Sequence, residues 1–231
     1  MTNDKPNARF RDRMQAGREL AADLSRFLQG QDPVVLAIPP GGVPVAAHVA
    51  TELGAPLDVI VSRRIIPPQS GGETLGAITP DRTLVINKAL LTRLGISDEE
   101  LEQLSVSAWA EAQGALHRYR GGRPYGSLHG RTAVIIDDGV TSGYTIMGAV
   151  VAARKLQPAR VVVAVPVATI EAIERLGSYA DEVLSLEIST RTPFAVADHY
   201  TYYPECGEQE TVWMLEHFWS ERPPHGHGEM F

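Results

Sequence analysis

Val134-Ile135-Ile136-Asp137-Asp138-Gly139-Val140-Thr141-Ser142-Gly143-Tyr144-Thr145 reads as an apolar strand, two adjacent acids, a short loop of glycine and hydroxyl residues, and the opening of a helix. That order puts carboxylates and a cluster of backbone N–H groups at one point, where a helix N-terminus favours an anion. Gly139 and Gly143 permit positive φ and close approach of the backbone to a ligand. The hydroxyls of Thr141, Ser142 and Thr145 can donate to phosphate oxygens. Two acids after a strand also serve as turn or capping residues. What sets this run apart is the loop that follows at once. The Gly-Lys-Ser/Thr ending of a P-loop is absent, and there is no dinucleotide fingerprint. A nest for one phosphate beside two carboxylates points to a ribose 5-phosphate, with acids for its hydroxyls and amides for its phosphate.

Outward from this run, strands and helices alternate. Arg11 to Gln29 predicts a helix whose apolar face carries Met14, Leu20, Leu24, Phe27 and Leu28. Val34 to Ile38 is a continuous apolar run, as expected of a strand buried on both faces. Pro39-Pro40-Gly41-Gly42 ends it, and Val43 to Leu53 predicts a helix closed by Gly54. Leu57 to Ser62 is a second strand, followed by Arg63 and Arg64, and Ile66 to Glu73 is a Pro/Gly/Ser loop suited to a mobile surface segment. Thr83 to Ile86 is a short strand, and Ser97 opens a helix that runs to about Tyr119. Thr132 to Ile136, Gly143 to Leu156, Arg160 to Val165, Thr169 to Leu176 and Glu182 to Leu186 then alternate, with a last helix over Thr211 to Trp219. The pattern predicts an α/β fold with a mainly parallel sheet flanked by helices. Residues 1–222 read as a single domain and 223–231 as a tail. Ligands collect at the carboxyl ends of such strands. Pro40-Gly41-Gly42, Arg63-Arg64 and Asp137-Asp138 should therefore converge.

The chain of 231 residues carries a net charge of −7, which argues against a broad nucleic-acid surface. No apolar stretch is long enough to cross a bilayer, and the N-terminus lacks the apolar segment of a signal peptide, so the expectation is a cytoplasmic protein with no membrane partner. The single cysteine, Cys206, allows no internal disulfide. It is either a nucleophile or a packed thiol, with packing favoured. Tyr200, Tyr202 and Tyr203 are suited to stacking on a base or, slightly preferred, to packing. Trp213, Trp219 and Phe194 read as packing residues. His225 and His227 are metal-ligand types, but their glycine-rich surroundings read first as a terminal tail.

Val134 to Thr145 resembles the signature of the type I phosphoribosyltransferases. The wider chain is similar to a bacterial group of predicted phosphoribosyltransferases over residues 10–219, through Leu36 to Ala46, Leu57 to Arg64, Glu73 to Ile78 and Val161 to Ala168. The resemblance implies a phosphoribosyltransferase fold with a small hood, and phosphoribosyl pyrophosphate as substrate with Mg²⁺. It implies transfer of the ribose 5-phosphate to a nitrogen nucleophile, by default a nucleobase, and a homo-oligomer, with a dimer favoured. By the family pattern Asp137 and Asp138 would hold the ribose hydroxyls, directly or through the metal. Gly139, Val140, Thr141, Ser142, Gly143 and Thr145 would hold the 5-phosphate. Pro40, Gly41 and Gly42 occupy the pyrophosphate loop, Arg63 and Arg64 the place of a basic pair, and Ile66 to Glu73 the segment that closes over substrate. Glu73 is as suited to solvation as to substrate or metal contact. One position departs, since the related group carries Arg where this chain has Pro40. A Pro39–Pro40 peptide is also open to the cis form, whose penalty before proline is only about 0.5–1 kcal/mol. A sugar-phosphate or nucleotide-sensing regulator and a phosphosugar or nucleotide hydrolase remain the alternative readings. The hood segments expected from the sequence lie near Asn87 to Tyr125 and Glu187 to Trp219.

Overall fold

A computed structural model describes residues 8–221; the His225/His227 segment lies outside them. Five strands form a parallel sheet: β1 (Pro33–Ala37), β2 (Leu57–Val59), β6 (Thr132–Ile136), β7 (Arg160–Thr169) and β8 (Glu182–Ser189), in the order β2-β1-β6-β7-β8. Register pairs Ala37 with Val59 on one side and with Ile136 on the other. Successive strand residues point to opposite faces, and both faces are apolar. Val35, Ala37, Val134, Ile136, Val162 and Ala164 join one core, and Val34, Leu36, Ala133, Ile135, Val161 and Val163 the other. This double burial explains why the strands read as continuous apolar runs instead of alternating ones.

The first core is covered by α1 (Arg13–Phe27), α2 (Gly42–Leu53) and α7 (Glu208–Glu221), the second by α5 (Tyr144–Arg154) and α6 (Ile170–Leu176). Asp12 caps α1 by accepting from the Gln15 amide. Leu20 and Leu24 face the core as expected, but Met14 is half-exposed. Trp219 packs and donates to the Leu57 carbonyl, whereas Trp213 stands on the outer face of α7, stacked on His217.

The chain departs from simple alternation after β2. The expected strand to Ser62 stops at Val59, and Arg63 and Arg64 do not follow a strand: they belong to β3 (Arg63–Ile65). β3 forms a separate antiparallel sheet with β4 (Gly76–Ile78) and β5 (Leu84–Ile86). Ile65, Leu75 and Ile78 pack there on Leu90 of α3 (Lys88–Leu94), on Ile96 and on Ala108 of α4 (Asp98–Arg120). At the other side Phe10 pairs with Tyr200, and Phe10, Ala16, Val167 and Tyr200 form a small core with Phe194, Val196 and Tyr203 against it. No helix among the described residues is long and apolar enough to cross a membrane.

Candidate active site

The carboxyl ends of β1 and β6, the start of β3 and the segment after residue 195 enclose a cleft of about 620 Å³. Asp137, Asp138, Gly139, Val140, Thr141, Ser142, Gly143 and Thr145 line one part of it, Pro39, Pro40 and Gly41 another, and Arg63 and Arg64 a third. Three clusters far apart in sequence are thus brought together. Gly42 is not on the wall. It opens α2 against the backbone of Ile136 and Asp137, where an added Cβ would stand 2.6 Å from the Ile136 carbonyl oxygen.

The loop after β6 is held from behind by its carbonyls. Thr169 donates to the Thr141 oxygen at 2.7 Å, and the Arg175 guanidinium donates to that of Ser142. The Val140 amide is taken by the Val167 carbonyl. Among the described residues no acceptor takes the amides of Thr141 to Thr145: those of Thr141 and Ser142 belong to the loop, and those of Gly143 to Thr145 are donors that the start of α5 leaves unpaired. Gly143 caps that helix at φ 80°, so its glycine is a backbone requirement. Gly139 is required for a different reason than expected. Its φ is not positive; a Cβ there would stand 2.6 Å from a methyl of Val196.

In the facing loop the Pro39–Pro40 peptide is cis. Neither proline carries an N–H, and the Gly42 amide is taken by the Ile38 carbonyl at 3.0 Å. Gly41 therefore supplies the one amide of Pro39 to Gly42 that no chain acceptor among the described residues takes. The basic pair divides as well. Arg63 is half-buried and donates to the Pro39 carbonyl at 3.3 Å, while Arg64 is exposed at the cleft rim. The Ile66 to Glu73 loop holds one turn of 3₁₀ helix at Pro68–Ser70 and is exposed apart from Pro67 and Ser70, with Gln69 on Glu100 and Glu73 paired to Arg93 at the surface.

The two acids differ in surroundings. Asp137 is half-buried, and its Oδ1 accepts from the Asp138 amide at 2.9 Å. Burial and then the adjoining carboxylate push its pKa well above the ordinary value. Asp138 is buried and meets Arg13, which the sequence reading missed, and Tyr200 and Tyr203, which it took for stacking or packing. Arg13 Nε donates to Asp138 Oδ2 at 2.7 Å, Tyr203 donates to the same oxygen at 2.8 Å, and Tyr200 donates to the Asp138 carbonyl at 2.6 Å. Burial raises the Tyr203 phenol above the range where it ionises in water, and Asp138 adds to that rise. Tyr200 is fully buried, so neither it nor exposed Tyr202 offers a ring to the cleft. Cys206 lines the cleft beside Glu205; burial pushes its thiol up, away from a reactive thiolate. Arg13, Val196, Tyr203, Glu205 and Cys206 complete the lining of the cleft. Asn87 to Tyr125 adds no lining residue, because α3 and α4 turn toward the antiparallel sheet.

The description "Phosphoribosyl transferase domain" matches residues 9–201. Proteins of Mycobacterium tuberculosis strains CDC 1551 and H37Rv, provisionally named phosphoribosyl transferases, are 38% identical over 210 residues, which is 90% of this chain. The chain spans about half the length of those relatives, 46%. The crystal structure of TT1426 from Thermus thermophilus superposes with a TM-score of 0.75 at 36% identity, covering 91% of this chain and 99% of that one. With the cleft, the loops and these matches together, the chain belongs to the phosphoribosyl transferase domain family.

Proposed function

We propose that the protein transfers ribose 5-phosphate from phosphoribosyl pyrophosphate to a nitrogen nucleophile, with a nucleobase as the acceptor class, and releases pyrophosphate. The observation that carries this reading is the loop after β6, whose carbonyls are anchored behind it while the amides of Thr141 to Thr145 stand without chain acceptors beside Asp137. That is an arrangement for a phosphate next to sugar hydroxyls. Gly139 to Gly143 and Thr145 hold the 5-phosphate in this reading, and Asp137 and Asp138 meet the ribose edge. Breaking the bond from the anomeric carbon to oxygen builds negative charge on the departing pyrophosphate. The Gly41 amide, Arg64 and the tethered Arg63 answer that charge. Pro40 adds no donor, so more of the task falls on the two arginines. The Ile66 to Glu73 loop closes over the cleft and keeps water from the electron-poor sugar carbon.

Among the described residues no group of three or more His, Cys, Asp or Glu could cage a metal. The donors present fit Mg²⁺ arriving with its substrate, since Mg²⁺ prefers oxygen ligands and commonly uses one or two carboxylates plus phosphates and water. Asp137, with Asp138 behind it, would hold it, directly or through ribose hydroxyls or water. When bound, the ion offsets charge on the leaving group.

Incubation with phosphoribosyl pyrophosphate, Mg²⁺ and a panel of bases, with pyrophosphate release as readout, tests the reading. Release that depends on the base supports it. Release without a base would make the protein a hydrolase, and binding without turnover would make it a sensor.

A further inference from the structure

The cleft is walled from the two ends of the parallel sheet. Arg63 and Arg64 enter from β3, which follows the edge strand β2. Val196, Tyr203, Glu205 and Cys206 enter from the chain beyond β8, the opposite edge. The acid pair lies between them, after the central strand β6. The two walls differ in charge. The β3 wall carries the two guanidinium groups. The β8 wall carries the carboxylate of Glu205, which is exposed and has no ion-pair or hydrogen-bond partner among the described residues. The chain just before Glu205 is anchored: the Pro204 carbonyl accepts from Arg13 at 2.8 Å, and the Tyr203 hydroxyl donates to Asp138 Oδ2 at 2.8 Å. Arg13 is the one further cation lining the cleft among the described residues. It is 7% exposed and occupied by Asp138 and Pro204, so it brings no free charge to a ligand on that side.

We infer that Glu205 is a specificity-determining residue: its carboxylate accepts from an N–H of the acceptor, and the acceptor is an uncharged heterocycle with such an N–H, to the exclusion of carboxylate-bearing bases. The inference rests on the reading of the cleft as a phosphoribosyl pyrophosphate site and deepens it. Displacement at the anomeric carbon needs the nucleophile in line with the leaving group, on the far side of the sugar. Pyrophosphate carries the negative charge and belongs with Arg63 and Arg64, which places the nucleophile against the β8 wall. An ionised carboxylate accepts hydrogen bonds and donates none, so the acceptor edge that meets it must present a hydrogen. A base carrying its own carboxylate would set a like charge against Glu205, in a cleft that already holds Asp137 and Asp138, with no free cation on that wall to offset it. As the ring gives electrons to the sugar carbon its N–H becomes more acidic, and the bond to Glu205 strengthens toward the transition state. Val196 and the Cys206 thiol, which burial keeps protonated, make the rest of that wall uncharged.

Pyrophosphate release from phosphoribosyl pyrophosphate with Mg²⁺ tests this. Adenine, hypoxanthine, guanine and uracil serve as uncharged acceptors, and orotate, the carboxylate derivative of uracil, as the charged one. The wild type is expected to turn over at least one uncharged base and to prefer it to orotate in kcat/KM. Glu205→Gln removes the charge and keeps the shape. It is expected to lower kcat/KM for that base about tenfold, the order of one hydrogen bond to a charged group, while the KM for phosphoribosyl pyrophosphate stays within about twofold. Glu205→Asp, which keeps the carboxylate, is expected to retain more activity than Glu205→Gln. Glu205→Lys is expected to shift the preference toward orotate about tenfold, since a repulsion becomes an attraction. A wild type that prefers orotate, or Glu205→Gln that leaves kcat/KM for the base unchanged or weakens phosphoribosyl pyrophosphate equally, would overturn the inference while leaving the transferase reading in place. Absence of base-dependent release with every one of these compounds would overturn both.

Discussion

Gly42 shows how little room the site leaves for change at a single residue. Its missing Cβ lets α2 begin directly against the end of β6; the atom would fall 2.6 Å from the Ile136 carbonyl oxygen and 3.0 Å from the Asp137 Cα. Both neighbours are backbone and cannot swing aside. Gly42→Ala is therefore expected to lower stability by about 1–3 kcal/mol, the usual cost of overpacking, and to shift the Asp137 end of the strand. Urea unfolding of the two proteins measures this, and equal midpoints would mean that helix and strand can part without cost. At this scale the sequence was legible where neighbours in the chain are neighbours in space. Asp137, Asp138 and the loop to Thr145 form one local run. Arg13 and Tyr203 reach Asp138 from 125 and 65 positions away, and no short-range pattern announces that. One signal was present: a basic residue opening α1, with no acid in its first turn, is a poor match for the helix dipole.

Among the elements, the antiparallel sheet of β3, β4 and β5 was the part least readable in advance. Each strand has three residues, too few for periodicity, and Ile60 and Val61 continue the apolar character of β2 past its end at Val59. Arg63 and Arg64 were expected after a strand and instead pair with Ile78 and Ala77 within one. The turn between β4 and β5 is organised by Asp81. Burial alone would raise its pKa, but hydrogen bonds from Lys155, Thr79 and Thr83 outweigh burial and bring it down to about 2. A carboxylate lowered on folding stabilises the native state above its unfolded pKa, and the benefit disappears as pH falls through the folded value. Asp81→Asn should thus melt below the wild type at pH 6, with the gap closing between about pH 4 and pH 2. A gap unchanged over that range would remove Asp81 from the turn's stability. The long parallel strands were legible because burial on both faces makes them continuous apolar runs, and the helix ends because Gly54, Ser97 and Asp98 mark them.

At the scale of the whole molecule, Asp58 on β2 is tied to Arg120 at the end of α4, the helix that packs on the antiparallel sheet. The guanidinium meets both carboxylate oxygens, at 2.9 and 2.7 Å, donates to the Pro124 carbonyl and lies 3.5 Å from the Tyr125 ring centre. Burial raises the Asp58 pKa despite this partner, so removing Arg120 would strand a carboxylate in an apolar setting. Arg120→Met is expected to cost about 3 kcal/mol in chemical denaturation; a loss below about 1 kcal/mol would show that the pair is dispensable. With the sheets held in this relation, the ends of β1, β3 and β6 meet at one cleft, and the account depends on what occupies it. A crystal of the protein soaked with ribose 5-phosphate decides the matter. The account predicts the phosphate on the amides of Thr141 to Thr145 and the sugar hydroxyls on the acid pair Asp137 and Asp138. The compound lodged elsewhere would contradict it.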